Sequence, residues 1–177
     1  MTDHPDTNQA IPADDPARKL HRVTADDAEA PHVGVVGDTY TILVSGKDTA
    51  GRYSAIDMLV PPGGGPPPHR HDFEEMFTLL EGEIEFTFRG AKTVVQAGTT
   101  INIPANAPHF FRNVSGKTAR MLCMCAPAGQ EEFFLAIGKT VDSRTASAPE
   151  LSKEEQEQFM KKAEMLAPKY RTELLKP

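Results

Sequence analysis

The sequence predicts an all-β fold, a sandwich or a barrel, with a helical extension at the C-terminal end. Three observations predict it. Short β-rich runs follow one another from residue 39 to residue 126, separated by Gly-bearing turns. One of them, Glu83–Arg89, alternates as a half-buried antiparallel strand does: Ile84, Phe86 and Phe88 on one face, Glu83, Glu85 and Thr87 on the other. Beyond residue 130 the period lengthens to that of an amphipathic helix.

Taken in order, residues 1–30 are rich in Asp, Pro, Ala and Thr and show no periodicity. They read as an arm that is flexible alone and open to ordering by a partner subunit. His4, His21 and His32 in or near it read as surface histidines. A strand is expected over Thr39–Val44, a turn at Gly46-Lys47-Asp48, and a strand over Tyr53–Val60. Pro61 to Pro68 contains five prolines and three glycines. It lacks the Lys-Ser/Thr and the helix start of a phosphate loop, so it reads as a stiff connection. Phe77–Leu80, Glu83–Arg89, Thr93–Gln96 and Thr100–Ile103 are further strands, with turns at Glu81-Gly82, Gly90-Ala91 and Ala97-Gly98. His109, Phe111 and Asn113 share a face of the next strand, and Val114-Ser115-Gly116 turns into Ala119–Ala126. Glu131–Ile137 is a short helix stopped by Gly138. Thr140–Pro149 is a linker. Ser152 with Glu155 forms a capping box, and the helix behind it places Phe159, Ala163, Leu166 and Ala167 on one stripe until Pro168. That stripe is expected to pack on the β-domain or on a second subunit. The domains are therefore an arm over 1–30, a β-domain over 31–139, and a linker with a C-terminal helix over 140–177.

A chain of 177 residues and 19.3 kDa suits one domain with a real core. Net charge is −6, from 25 acidic and 19 basic residues, and no basic run occurs. Nucleic acid and anionic membranes are poor partners for such a surface. No apolar stretch reaches 18 residues, and Met1 to Ala10 lacks the apolar core of a signal peptide. The only cysteines, Cys123 and Cys125, stand two apart on one strand face, a poor geometry for a mutual disulfide. They read as small apolar core residues, with a soft-metal pair as the alternative. Together these features suggest a reducing cytoplasm.

The chemistry concentrates in Gly65-Pro66-Pro67-Pro68-His69-Arg70-His71-Asp72-Phe73-Glu74-Glu75. Residues i and i+2 of a strand point to one face, so His69 and His71 aim both imidazoles at one point. Glu75 keeps that parity and Glu74 does not. Two imidazoles and a carboxylate suit a transition metal, and His109 is a fourth candidate. Arg70 falls on the opposite face. Asn113 reads as a residue that fixes a strand end.

These residues carry a family resemblance. Gly65, His69-x-His71, Glu75 and Gly82 resemble the first cupin motif. Gly98, Pro104-x-Asn106, His109 and Asn113 resemble the second, departing from it at Asn106, where Gly is usual. Asn tolerates positive φ, so the turn is kept. The resemblance selects the barrel: a cupin double-stranded β-helix, or jelly roll, with one divalent transition metal bound by His69, His71, Glu75 and His109. The segments Pro61 to His69 and Pro127 to Phe134, with the late helix, look like the single-domain branch described as quercetin-dioxygenase-like. In flavonol dioxygenases the carboxylate matching Glu75 serves as ligand and catalytic base.

Fe(II), Mn(II), Ni(II), Co(II), Cu(II) and Zn(II) all suit three imidazoles and one carboxylate. Four protein ligands leave room for an outside molecule when the cation is five- or six-coordinate, which points to catalysis rather than a closed structural site. Met58, Phe77, Phe86, Ile101, Phe111 and Met121 are expected to face inward and to make an apolar cavity for an apolar or aromatic small molecule. The leading expectation is a dioxygenase. The alternatives are a redox-neutral isomerase, decarboxylase or lyase, and a non-enzymatic binding module. A homodimer that uses the N-terminal arm or an edge strand, and so covers an exposed sheet edge, is expected in each case.

Overall fold

The structure, a computed structural model, describes residues 11–176. His4 and the rest of residues 1–10 of the expected arm lie outside the described residues. Residues 11–30 form no strand or helix but follow the β-domain. Arg18 donates to the Asp48 carbonyl oxygen (2.9 Å), the His21 ring meets the Leu43 carbonyl (2.7 Å), and Arg144 pairs with Asp26 (2.9 Å). His32 is not a surface residue. It is buried, with Nδ1 at 2.8 Å from Thr41 Oγ1, and it fixes the chain's entry into the first strand.

The strands are β1 (His32–Val35), β2 (Asp38–Val44), β3 (Ser54–Val60), β4 (His69–His71), β5 (Glu74–Glu81) and β6 (Glu83–Phe88). They continue as β7 (Ala91–Gln96), β8 (Thr100–Ile103), β9 (His109–Arg112), β10 (Ala119–Ala126), β11 (Lys139–Thr140) and β12 (Thr172–Leu174). The helices are α1 (Gly46–Thr49), α2 (Gln130–Ile137) and α3 (Lys153–Leu166). The expected turn at Gly46-Lys47-Asp48 is thus a single helical turn, because the Asp48 carboxylate reaches back to the Ser45 N–H and hydroxyl (2.8 and 2.7 Å). The Ser152–Glu155 capping box forms as expected at the start of α3: Glu155 N–H donates to Ser152 Oγ (3.3 Å) and Ser152 N–H to Glu155 Oε2 (2.8 Å).

All strand pairings are antiparallel and make two sheets, in the orders β11-β1-β2-β3-β10-β5-β8 and β12-β4-β9-β6-β7. The sheets meet through an aromatic trio: Phe77 of one sheet lies 5.3 and 5.7 Å, centroid to centroid, from Phe86 and Phe111 of the other. Inward alternation is clearest in β10, where Ala119, Met121, Cys123 and Cys125 are all buried. The result is a jelly-roll barrel with a C-terminal helix. No helix among the described residues is long and apolar enough to cross a membrane.

The loop between β3 and β4 explains its own composition. It runs so close to β9 that Gly63 N–H bonds to the Asn113 carbonyl and Asn113 N–H to that of Gly64 (2.8 and 3.0 Å). A Cβ on Gly65 would drive into the Phe111 carbonyl oxygen, and φ there is +131°. The prolines that follow deliver β4 stiffly. Asn113 ties the same region from its side chain, donating to the Val60 and Lys117 carbonyls (both 2.8 Å). Asn106 takes φ +68° and donates its N–H to the His71 carbonyl (2.7 Å), so the turn before β9 is anchored on the end of β4.

Candidate metal centre

β4 is three residues long and alternates in, out, in: His69 and His71 are buried, while Arg70 is outside and bonds Glu173 of β12 (2.6 Å). His109 opens β9 directly across from His69. Glu75 comes from the other sheet, as the second residue of β5. The four side chains place one ligand atom each within 4.8 Å of one another, all buried. Glu74 points outward, where it accepts from Asn102 Nδ2 (2.7 Å) and the Ala105 N–H (3.1 Å), and these bonds lower its carboxyl. Parity therefore separates the two glutamates in space as it does in sequence.

Each imidazole is oriented by a backbone carbonyl. Nδ1 of His69, His71 and His109 lies 2.9 Å from the oxygens of Pro67, Phe73 and Ala107 respectively. A carbonyl only accepts, so each Nδ1 carries the proton and each Nε2 of a neutral ring presents a lone pair. His71 Nε2 and His109 Nε2 then face Glu75 Oε2 at 3.0 and 3.1 Å. Three acceptors this close in a buried pocket need a shared positive species between them. Three imidazoles and a carboxylate converging in this way suit a divalent cation, so the residues could hold the metal that the sequence implies.

The electrostatics agree. Burial, and then the neighbouring His109, depress His69 to about 4, so it stays neutral. Burial would raise Glu75, but the His109 and His71 rings outweigh it and hold the carboxyl well below the usual range. Burial likewise works against protonation of His109, and the Glu75 carboxylate overrides it and raises the ring. In the absence of a metal the cluster shares its positive charge as protons. A cation would displace them.

An apolar cavity of about 50 Å³ opens beside His69 and Glu75. Met58, Phe77 and Phe111 are on its wall, as expected. Phe86, Ile101 and Met121 are not: Phe86 packs behind Phe77 and Phe111, Met121 lies between Met58 and Leu79 in the sheet, and half-buried Ile101 pairs with Phe77 across β5 and β8. Sequence reasoning missed the rest of the wall, chiefly Tyr40 of β2, Gln130, Phe133 and Phe134 of α2, Phe159 and Met160 of α3, and Thr172 of β12. Apolar stripes on both helices signalled burial but not against what. Gln130 is buried, and its side chain meets only Thr172 Oγ1, at 3.4 Å, among the described residues.

Behind Tyr40, whose hydroxyl donates to Asp38 Oδ2 (3.0 Å), Asp38 Oδ1 is buried without a partner among the described residues. Burial pushes the Asp38 carboxyl up to about 7, despite the Tyr40 hydroxyl. Its folded value lies above the unfolded one, so its contribution is fully present below about pH 4 and is lost as pH rises to about 7. At about 1.4 kcal/mol per unit that amounts to about 4 kcal/mol. Asp38→Asn, which still accepts from Tyr40, is expected to remove this slope from urea midpoints measured between pH 4 and 8. Parallel curves for the two proteins would refute the assignment.

Comparison with known proteins follows the same lines. The family pattern described as Cupin domain matches residues 56–125, which include all four converging side chains. The quercetin 2,3-dioxygenase of Bacillus subtilis (strain 168) is 28% identical over 103 residues, 58% of this chain and 30% of that protein. The chain thus spans less than a third of that relative's length. The structure of the polyketide cyclase RemF from Streptomyces resistomycificus superposes with a TM-score of 0.55 at 24% identity, covering 81% of this chain and 94% of that one. A predicted oxalate decarboxylase from Thermotoga maritima gives 0.54 at 18% identity, covering 59% and 99%. These two share the fold.

Proposed function

The chain belongs to the cupin superfamily, and from that premise we propose that it is a metal-dependent dioxygenase acting on an apolar aromatic molecule that carries oxygen substituents. The observation that carries the reading is the approach of His71 and His109 Nε2 to Glu75 Oε2 at 3.0 and 3.1 Å, beside an apolar cavity. A bound divalent cation would supply a Lewis acid for a substrate oxygen and a path for electrons. His69, His71, His109 and Glu75 would hold it, oriented by the carbonyls of Pro67, Phe73 and Ala107. Phe77, Phe111 and Phe133 line the cavity, give an incoming ring apolar contact and keep water out. Gln130, underused by the protein, donates to an oxygen of the substrate. Glu75 takes the substrate's hydroxyl proton. Its depressed carboxyl makes it a weak base until that hydroxyl is itself acidified. The resemblance to a quercetin 2,3-dioxygenase supports the substrate class.

A cavity of about 50 Å³ is smaller than the roughly 150 Å³ that takes up a benzene ring. The helices α2 and α3, which cover the cavity, therefore have to yield for a ring to enter. Protein loaded in turn with Fe(II), Mn(II), Ni(II), Co(II), Cu(II) or Zn(II) is expected to consume oxygen with flavonols or catechol-like phenols when it carries at least one of the redox-active metals, and not when it carries Zn(II). Absence of uptake with every metal would sink the dioxygenase reading.

One observation favours a redox-neutral enzyme instead. Cys123 Sγ lies 3.4 Å from Glu75 Oε1, and a thiol beside an oxygen-activating centre is exposed to oxidation. Turnover that survives without oxygen and with Zn(II) would decide for an isomerase, decarboxylase or lyase. In either case we propose a homodimer, formed through the N-terminal arm or an edge strand and checkable by light scattering.

A further inference from the structure

Glu75 has a second oxygen, and it faces sulfur. Cys123 Sγ lies 3.4 Å and Cys125 Sγ 3.7 Å from Oε1, with the two sulfurs 3.7 Å apart. All three side chains are buried. The sheet register produces this contact: Cys125 stands directly across from Glu75 in the β10–β5 pair and Cys123 across from Phe77, all facing inward. No other donor reaches Oε1 among the described residues, whereas Oε2 serves His71 and His109. A buried carboxylate oxygen with no donor is costly, and a thiol S–H is a weak donor that becomes useful when two converge on one charged acceptor.

We propose that Cys123 and Cys125 are positioning residues: their thiols pin Glu75 Oε1, so that Oε2 alone is presented to the cation and a coordination position stays open for an outside molecule. The proposal rests on the metal-binding reading above and adds to it the device that sets the number of free positions. A carboxylate unrestrained at both oxygens can chelate through both. Here the pleat of β10 holds one oxygen away. Serine in place of either cysteine keeps a donor, whereas alanine removes it.

The test is a titration of metal-free protein with Co(II), followed by azide, read in the visible d–d spectrum. Wild type is expected to take one Co(II) per chain and to respond to azide. Cys123→Ala/Cys125→Ala is expected to show an altered band and azide affinity lower by about tenfold or more, in the range of losses that outer partners of a metal site produce. Cys123→Ser/Cys125→Ser is expected to restore both. Circular dichroism checks the fold, and Cys123→Ala alone, at the shorter contact, is read in the same way should the double variant unfold. An unchanged band and azide affinity in the alanine variants would overturn the proposal. So would two Co(II) per chain in wild type with intense thiolate-to-metal charge transfer, because the sulfurs would then be ligands. Wild type that binds no Co(II) would overturn the metal reading itself, a result visible before any cysteine is changed.

Discussion

Replacing His71 by alanine is expected to strip the protein of its divalent cation and to abolish the rise in melting temperature that metal confers on wild type. The ring supplies Nε2 at 3.0 Å from Glu75 Oε2, stacks on Phe73 at 3.9 Å, and is locked by the Phe73 carbonyl. Its loss leaves the Glu75 carboxylate buried with one imidazole at contact distance in place of two. A cation present at 100 times its dissociation constant stabilises the folded state by about 2.7 kcal/mol. In a chain of this size that corresponds to about 5–10 °C. Wild type should therefore melt about that much higher with metal than after chelation, while His71→Ala should melt at one temperature in both. Elemental analysis beside the melting curves checks it. Metal retained by His71→Ala at the wild-type level would remove the basis of the activity proposed here.

The second large effect is expected from deleting residues 151–177. The deletion removes α3, which covers the cavity with Phe159, Met160 and Ala163, and β12, which pairs Thr172 with His71 and Leu174 with His69. Fully burying a large apolar side chain is worth about 1.5–3 kcal/mol; Phe159, Leu166 and Leu174 are half-buried, so at roughly two thirds of that each their loss from the packing should cost about 3–6 kcal/mol. The shortened protein should bind a hydrophobic dye such as ANS, melt well below wild type, and hold Co(II) more weakly, because β4 keeps only β9 as a neighbour. A fragment that melts and binds Co(II) like the full chain would show that the C-terminal segment neither covers the cavity nor supports the ligand strand.

Much of this was legible in the chain, for physical reasons that differ from element to element. Thr100–Ile103 and Ala119–Ala126 are strands over those residues, because alternating side chains and flanking turn residues report a local conformation. His69, His71 and Glu75 could be grouped by parity alone. The strands β1, β11 and β12 were not foreseen. They are two to four residues long, too short to show a period, and are held by partners far away: Val33 by Thr140, Thr172 by His71. The same reason hid half of the cavity wall. Phe159 and Phe133 announced apolar faces, but which surface those faces meet depends on how the helices return to the barrel. Inward parity was a sound guide for Phe77 and Phe111 and an insufficient one for Phe86 and Met121, since alternation tells in from out but not how deep. The contact of Cys123 and Cys125 with Glu75 depends on strand register across about 50 residues, which no local pattern encodes.

The pairing of β12 with β4 bears on how the protein should be handled. Leu174 lies opposite His69 and Thr172 opposite His71. A polyhistidine tag placed close behind Leu174 would lie near the edge of the ligand strand and offer surplus imidazoles to the same cation. Stoichiometry measured on such a fusion would mix the two sources, so metal content is best determined on untagged protein or with the tag at the opposite terminus.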